Sequence, residues 1–158
     1  MYPEALALHS LVRWLVLISL LFGVYRGFKG WFGNYPFSPF DNGVRKWTAI
    51  IAQIQLVIGI TLYSISPLVR YFLHHFKTAL PEREVRFFGM EHAVVMVAAI
   101  VVITIGSIKS RRKKTSREKY KTMAIWYSIG LLMILSSMPL PFSPPPFVRR
   151  PFFRAFWW

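Results

Sequence analysis

Four histidines, His9, His74, His75 and His92, are the side chains of this chain best suited to hold a metal ion, and no cysteine accompanies them. A neutral imidazole offers one lone pair to a metal and titrates near neutral pH, so its surroundings decide whether it binds a cation or moves a proton. His9 and His92 stand inside the apolar runs LALHSLVRWLVL and FGMEHAVVMVAA, where a polar residue is expensive and marks a functional position by default. Each has a charged companion. Arg13 follows His9 by four residues and so shares its helix face, while Glu91 directly precedes His92. The chemistry such a set supports is iron ligation: imidazole is a standard axial ligand of haem iron, and apolar surroundings help to tune its potential. The absence of cysteine removes thiolate metal sites, disulfides and the C-x-x-C-H attachment of a c-type haem, so any haem is held non-covalently.

The elements that position these residues are helices of membrane-spanning length. A chain of 158 residues that is 54% hydrophobic and 17% aromatic fits one bundle of a few spans and leaves no room for a second domain. About 20 residues at about 1.5 Å each cross the hydrocarbon core, and the apolar runs predict spans at 5–25, 47–65, 88–108 and 122–140. The first is too long for a signal-peptide core and lacks a small-residue cleavage site, which predicts a retained span. Between the first two spans, 26–46 holds Gly27, Gly30, Gly33, Pro36, Pro39 and the turn-like Asp41-Asn42-Gly43, and reads as a loop. Pro67 interrupts the second span, and the following segment, with His74, His75, Glu82 and Glu84, reads as a membrane-surface helix or ordered cap. The stretch 142–158 is proline-rich, aromatic and basic, an interfacial tail. The expected fold is an all-α, integral membrane, up-and-down four-helix bundle with an outer-side surface segment and this C-terminal tail.

Helical spacing also predicts which faces meet. One face of the first span carries His9, Arg13, Val16, Leu20 and Gly23; one of the second carries Thr48, Ala52, Gln55, Gly59, Leu62 and Ser66; one of the fourth carries Met123, Tyr127, Gly130, Ile134 and Ser137. Small and polar residues at this spacing are the usual packing surface of helices in lipid.

A net charge of +14 would point to nucleic acid in a soluble protein. Here the basic residues lie mainly between apolar runs, where they anchor loops to anionic lipid and set topology, and no nucleic-acid partner is expected. Of the twenty Lys and Arg residues, four lie in 26–46 and eight in 109–121, against four in 70–86 and three in the tail. Cytoplasmic loops take the excess, which predicts that both termini face outside. His9 and His92 then stand near the outer ends of the first and third helices, which run in one direction on a diagonal of the bundle. Diagonal axes about 12 to 14 Å apart leave space for a haem between two imidazoles. His9 and His92 are therefore the expected ligands of one haem b. An arginine inside the bundle needs an anionic partner, and Glu91, a haem propionate or a quinone-type oxygen would each serve Arg13.

The remaining polar residues have plainer readings. His74 and His75 fit a solvated or interfacial segment better than a ligand set, and no tight spacing joins them to Glu82 or Glu84 as a metal site. Gln53, Gln55, Tyr63 and Tyr127 fit interhelical hydrogen bonds, with a share in lining an inner cavity as the alternative. Met96 and Met123 fit packing.

The segments LHSLVRW, FDNGVRKWTA, FGMEHAVVM and IWYSIGLLMILSSMPLPFS together resemble a family of small bacterial four-helix membrane proteins labelled cytochrome b-like, over nearly the whole chain. The resemblance implies a b-type haem and membrane electron transfer near the outer face of the inner membrane, as a component of a respiratory or other membrane complex rather than a stand-alone enzyme. It transfers to this chain only through His9 and His92; a second intramembrane histidine pair, as in two-haem cytochromes b, is missing. Two other classes compete: a non-enzymatic accessory or assembly subunit that docks through its basic connections and tail, and a haem-free protein handling quinone or metal through Arg13, Glu91 and the histidines.

Overall fold

The computed structural model describes residues 2–139; the tail 142–158 and its expected interfacial role lie outside them. The described residues are helical and contain no strand. Four long helices, α1 (Tyr2–Gly33), α2 (Pro39–Ile65), α6 (His92–Arg112) and α7 (Ser116–Ser136), are joined by short connections and by three small helices, α3 (Pro67–His74), α4 (Phe76–Ala79) and α5 (Arg83–Arg86). A π-helical turn, Phe87–Glu91, makes α5 continuous with α6. Three stretches, Tyr2–Gly33, Pro39–Ile65 and Arg83–Arg112, are long and apolar enough to cross a membrane.

The long helices pack in a ring in which α1 and α6 each touch both α2 and α7. Neighbours run antiparallel, because partners late in one helix meet partners early in the next. Along α1 and α2 the paired residues are Gln55 with His9, Thr48 with Ser19 and Asp41 with Arg26. Along α1 and α7, Gly23, Gly27 and Gly30 meet Tyr127, Ala124 and Tyr120. The expected inward faces are the ones buried: Val16, Leu20 and Gly23; Thr48, Ala52, Gln55 and Leu62; Met123, Tyr127, Gly130 and Ile134. Outward faces are apolar as well, with Leu15, Ile18 and Leu21 on α1, Val57 and Ile60 on α2, and Val97 and Val101 on α6 exposed. A surface of that kind suits hydrocarbon rather than water as the surrounding solvent.

The connection expected over 26–46 is corrected: helix fills it except at 34–38. Two local causes account for this. Gly27 and Gly30 are not turn residues but contact positions, where a Cβ would come within 2.9 Å of the Ala124 backbone and 2.4 Å of the Tyr120 ring. Asp41 belongs to a capping box, its carboxylate accepting from the backbone and side chain of Ser38 while Ser38 Oγ accepts from Asp41 N, and Pro39 takes the first helical position. Both devices start a helix. Asn34, at φ 51, takes the left-handed conformation just after α1 and turns the chain.

Candidate functional site

The end of the ring away from the connections 34–38 and 113–115 holds a partly open cavity of about 870 Å³, lined by α1, α2, α3, the π-helical turn, α6 and the end of α7. Ligand cavities are usually about 300 to 1,000 Å³ and mostly apolar, and this one is walled chiefly by Leu, Ile, Val, Met and Phe. His9 and His92 both reach into it. Their ring centres are 6.5 Å apart and the planes cross at 72°. The diagonal helix axes leave a wide gap, and the two imidazoles close it from opposite sides.

Their surroundings differ. His92 follows the π-helical turn directly, its backbone N–H bonding Phe87 O five residues back, which rotates the ring relative to a continuous α-helix. Its Nδ1 lies 2.9 Å from the Ser137 carbonyl at the end of α7. A carbonyl only accepts, so Nδ1 carries the proton, and in the neutral ring Nε2 keeps the lone pair. That is the tautomer a metal ligand needs, with the outer nitrogen held by a backbone acceptor. His9 faces α2 at Gly59, where an added Cβ would sit 3.5 Å from its Cε1 and 3.9 Å from its Nδ1. His9 Nδ1 is buried without a hydrogen-bond partner, and so is Gln55 Oε1. The Gln55 amide Nε2 donates to the His9 carbonyl at 2.9 Å.

Arg13 lies one turn further along α1, lines the same cavity and donates to Ser10 Oγ at 3.3 Å. Glu91 is not the residue it meets. Glu91 accepts from Arg86 Nε at 2.6 Å, with its side chain 42% exposed at the rim, so of the three partners open to Arg13 the structure gives Glu91 to Arg86 instead. The reason is proximity: the π-helical turn brings Arg86, five residues earlier, beside the carboxylate.

His74 and His75 are exposed and stand outside the cavity. His75 stacks on Tyr71 at 4.7 Å between ring centres. The Tyr71 hydroxyl donates to Glu82 at 3.1 Å, which raises that phenol above its ordinary pKa. Among the described residues no three His, Asp or Glu side chains form a metal-binding group. Gln53 donates to Thr104 Oγ1 and Tyr63 to the Gly89 carbonyl, both linking helices. Tyr127 donates to the Arg45 carbonyl, and Met123 is buried core. Gln55, Tyr63 and Met96 also line the cavity.

A second polar cluster, at the opposite end, was not singled out from the sequence. Asp41, 1% exposed, accepts from Arg26 Nε at 2.8 Å and from the Tyr120 hydroxyl at 2.6 Å, and Tyr120 also reaches the Pro36 carbonyl. Arg45, also buried, donates to Asn42 Oδ1 and to the Ser107 carbonyl and hydroxyl. These groups satisfy one another and tie α1, α2, α6 and α7 together. The S-x-x-D box at Ser38 and Asp41 was its legible signal. No protein family, characterised protein or solved structure gives a match to this chain.

Proposed function

We propose that the protein is a b-type haem protein of the bacterial inner membrane, a four-span up-and-down bundle that takes part in electron transfer near the outer face, with His9 and His92 as the residues that would hold the haem. The observation that carries the reading is the separation of the two imidazoles. Two rings bonded to opposite sides of one metal ion at about 2 Å each have centres about 6 Å apart, and His9 and His92 stand at 6.5 Å. An imidazole can turn about its bond to a metal, so the 72° crossing of the two rings would be compatible with both holding one ion. The protonation of His92 at Nδ1 and the mostly apolar cavity support the same assignment.

Haem supplies one-electron redox chemistry. The protein's part is positional: Ser137 O fixes the His92 ring, Gly59 leaves room for the His9 ring, and the mostly apolar walls lower the local dielectric. Arg13 places a positive charge at the same cavity, suited to a carboxylate or other anionic group of a bound cofactor. The fourth span in this reading is α7. Its first turns carry Arg117, Glu118, Lys119 and Lys121, but its outward face beyond them, Ile125, Ile129, Leu132 and Leu135, is exposed and apolar.

One observation favours a haem-free quinone reading of the same cavity, the unbonded Gln55 Oε1, which would accept from the hydroxyl of the reduced quinol. The absorption spectrum of the protein purified under haem-replete conditions decides between them. A low-spin haem spectrum lost or altered in His9→Ala and His92→Ala, and kept in His74→Ala and His75→Ala, supports the cytochrome reading. A wild-type protein without haem absorption removes it.

A further inference from the structure

The two imidazoles are not equivalent, and their difference bears on what else the site can bind. His92 is held at both ends of its ring environment: the π-helical turn fixes its backbone and the Ser137 carbonyl holds Nδ1 at 2.9 Å. A hydrogen bond from the outer nitrogen of a ligating histidine fixes its orientation and raises its basicity as a ligand. His9 has no such anchor. Its Nδ1 is buried without a partner, and the α2 residue against the ring is Gly59, which has no side chain to bond it. A buried polar group without a partner favours any rearrangement that supplies one.

Such a partner stands one turn away on α2. Gln55 already touches the His9 turn through Nε2, and its Oε1 is buried and unbonded. A His9 ring that leaves its position between the helices can give its Nδ1 proton to that oxygen, satisfying two orphaned atoms with one bond. The cavity of about 870 Å³ that surrounds it gives the ring space to move and admits a small neutral molecule beside it.

We infer that His9 is the exchangeable ligand and His92 the permanent one, and that the site vacated by His9 binds a neutral diatomic gas. The inference rests on the haem reading above and adds to electron transfer a capacity for gas binding, with Gln55 as the positioning residue that receives the displaced ring. The ligand class follows from the walls: apart from Arg13, Gln55 and the histidines the cavity is lined chiefly by apolar side chains, which suits a neutral molecule such as carbon monoxide, nitric oxide or dioxygen.

Carbon monoxide is the probe, added to the dithionite-reduced, haem-replete protein in detergent and followed by absorption. The wild type is expected to form a carbon monoxide complex at a rate that levels off as gas concentration rises, because departure of His9 becomes limiting. His9→Ala should retain haem and bind faster, with a rate linear in concentration, whereas His92→Ala should lose most of its haem. Gly59→Ala places a methyl group in ordinary contact with the His9 ring and should slow binding without unfolding the bundle. Gln55→Leu should weaken equilibrium carbon monoxide affinity by about two- to tenfold, the worth of one hydrogen bond. A six-coordinate haem in the wild type that takes up no carbon monoxide, or loss of haem in His9→Ala with retention in His92→Ala, overturns the inference and leaves the haem reading standing. A wild type without haem overturns both.

Discussion

Single side chains in this protein differ mainly in what holds them. Asp41 is buried and takes hydrogen bonds from Arg26, Ser38 and Tyr120, so Asp41→Ala, which removes a helix cap and charge-assisted bonds, should destabilise the protein by about 2 kcal/mol or more. Tyr120→Phe, which removes one charge-assisted bond, should cost about 1.5 to 3 kcal/mol; thermal unfolding in detergent measures both. The pair at the rim behaves otherwise. Arg86 and Glu91 are each about a third or more exposed, and a double-mutant cycle should give a coupling under about 1 kcal/mol. Glu91 thus shows where sequence spacing misleads: it adjoins His92 in the chain, but an irregular turn hands it to Arg86, and no periodicity announces a π-helical turn. His9 and His92 were legible because an ionisable residue in an apolar run needs a reason. The Ser137 carbonyl was not, since a backbone acceptor leaves no mark on residue type.

Among the elements, the helix contacts rest on small residues whose cost can be read from what an added methyl group would meet. At Gly27 it would press on the Ala124 backbone at 2.9 Å, which cannot give way as a side chain can. Gly27→Ala should therefore separate α1 from α7 and cost about 1 to 3 kcal/mol. At Gly43 there is nothing within 4 Å, and Gly43→Ala should stabilise α2 by about 0.5 to 1 kcal/mol. Opposite signs at two glycines of one sequence stretch explain why 26–46 looked like a loop. Glycine marks turns and close helix contacts alike, and only the partner helix distinguishes them. The inward faces, by contrast, were readable from spacing because burial in the bundle follows the helical period. The π-helical turn has its own test: deleting Met90 should rotate His92 by about 100° and abolish whatever the two histidines bind together, while circular dichroism still reports a helical protein.

At the scale of the whole molecule, the apolar exterior and the three long apolar helices make a lipid bilayer its natural surroundings. The proposed orientation rests on charge: twelve Lys and Arg residues lie in 26–46 and 109–121, against seven in 70–86 and the tail, so a reporter fused within 113–115 should be active in the cytoplasm and one at 80–82 outside. The reverse pattern would place the histidine cavity on the cytoplasmic side. The account depends most on what occupies that cavity, and the absorption spectrum of the wild-type protein, oxidised and reduced, purified from haem-replete cells, tests it most directly. A low-spin haem spectrum that disappears or changes when either His9 or His92 is replaced by alanine is the predicted result; a folded wild-type protein with no haem absorption would contradict it.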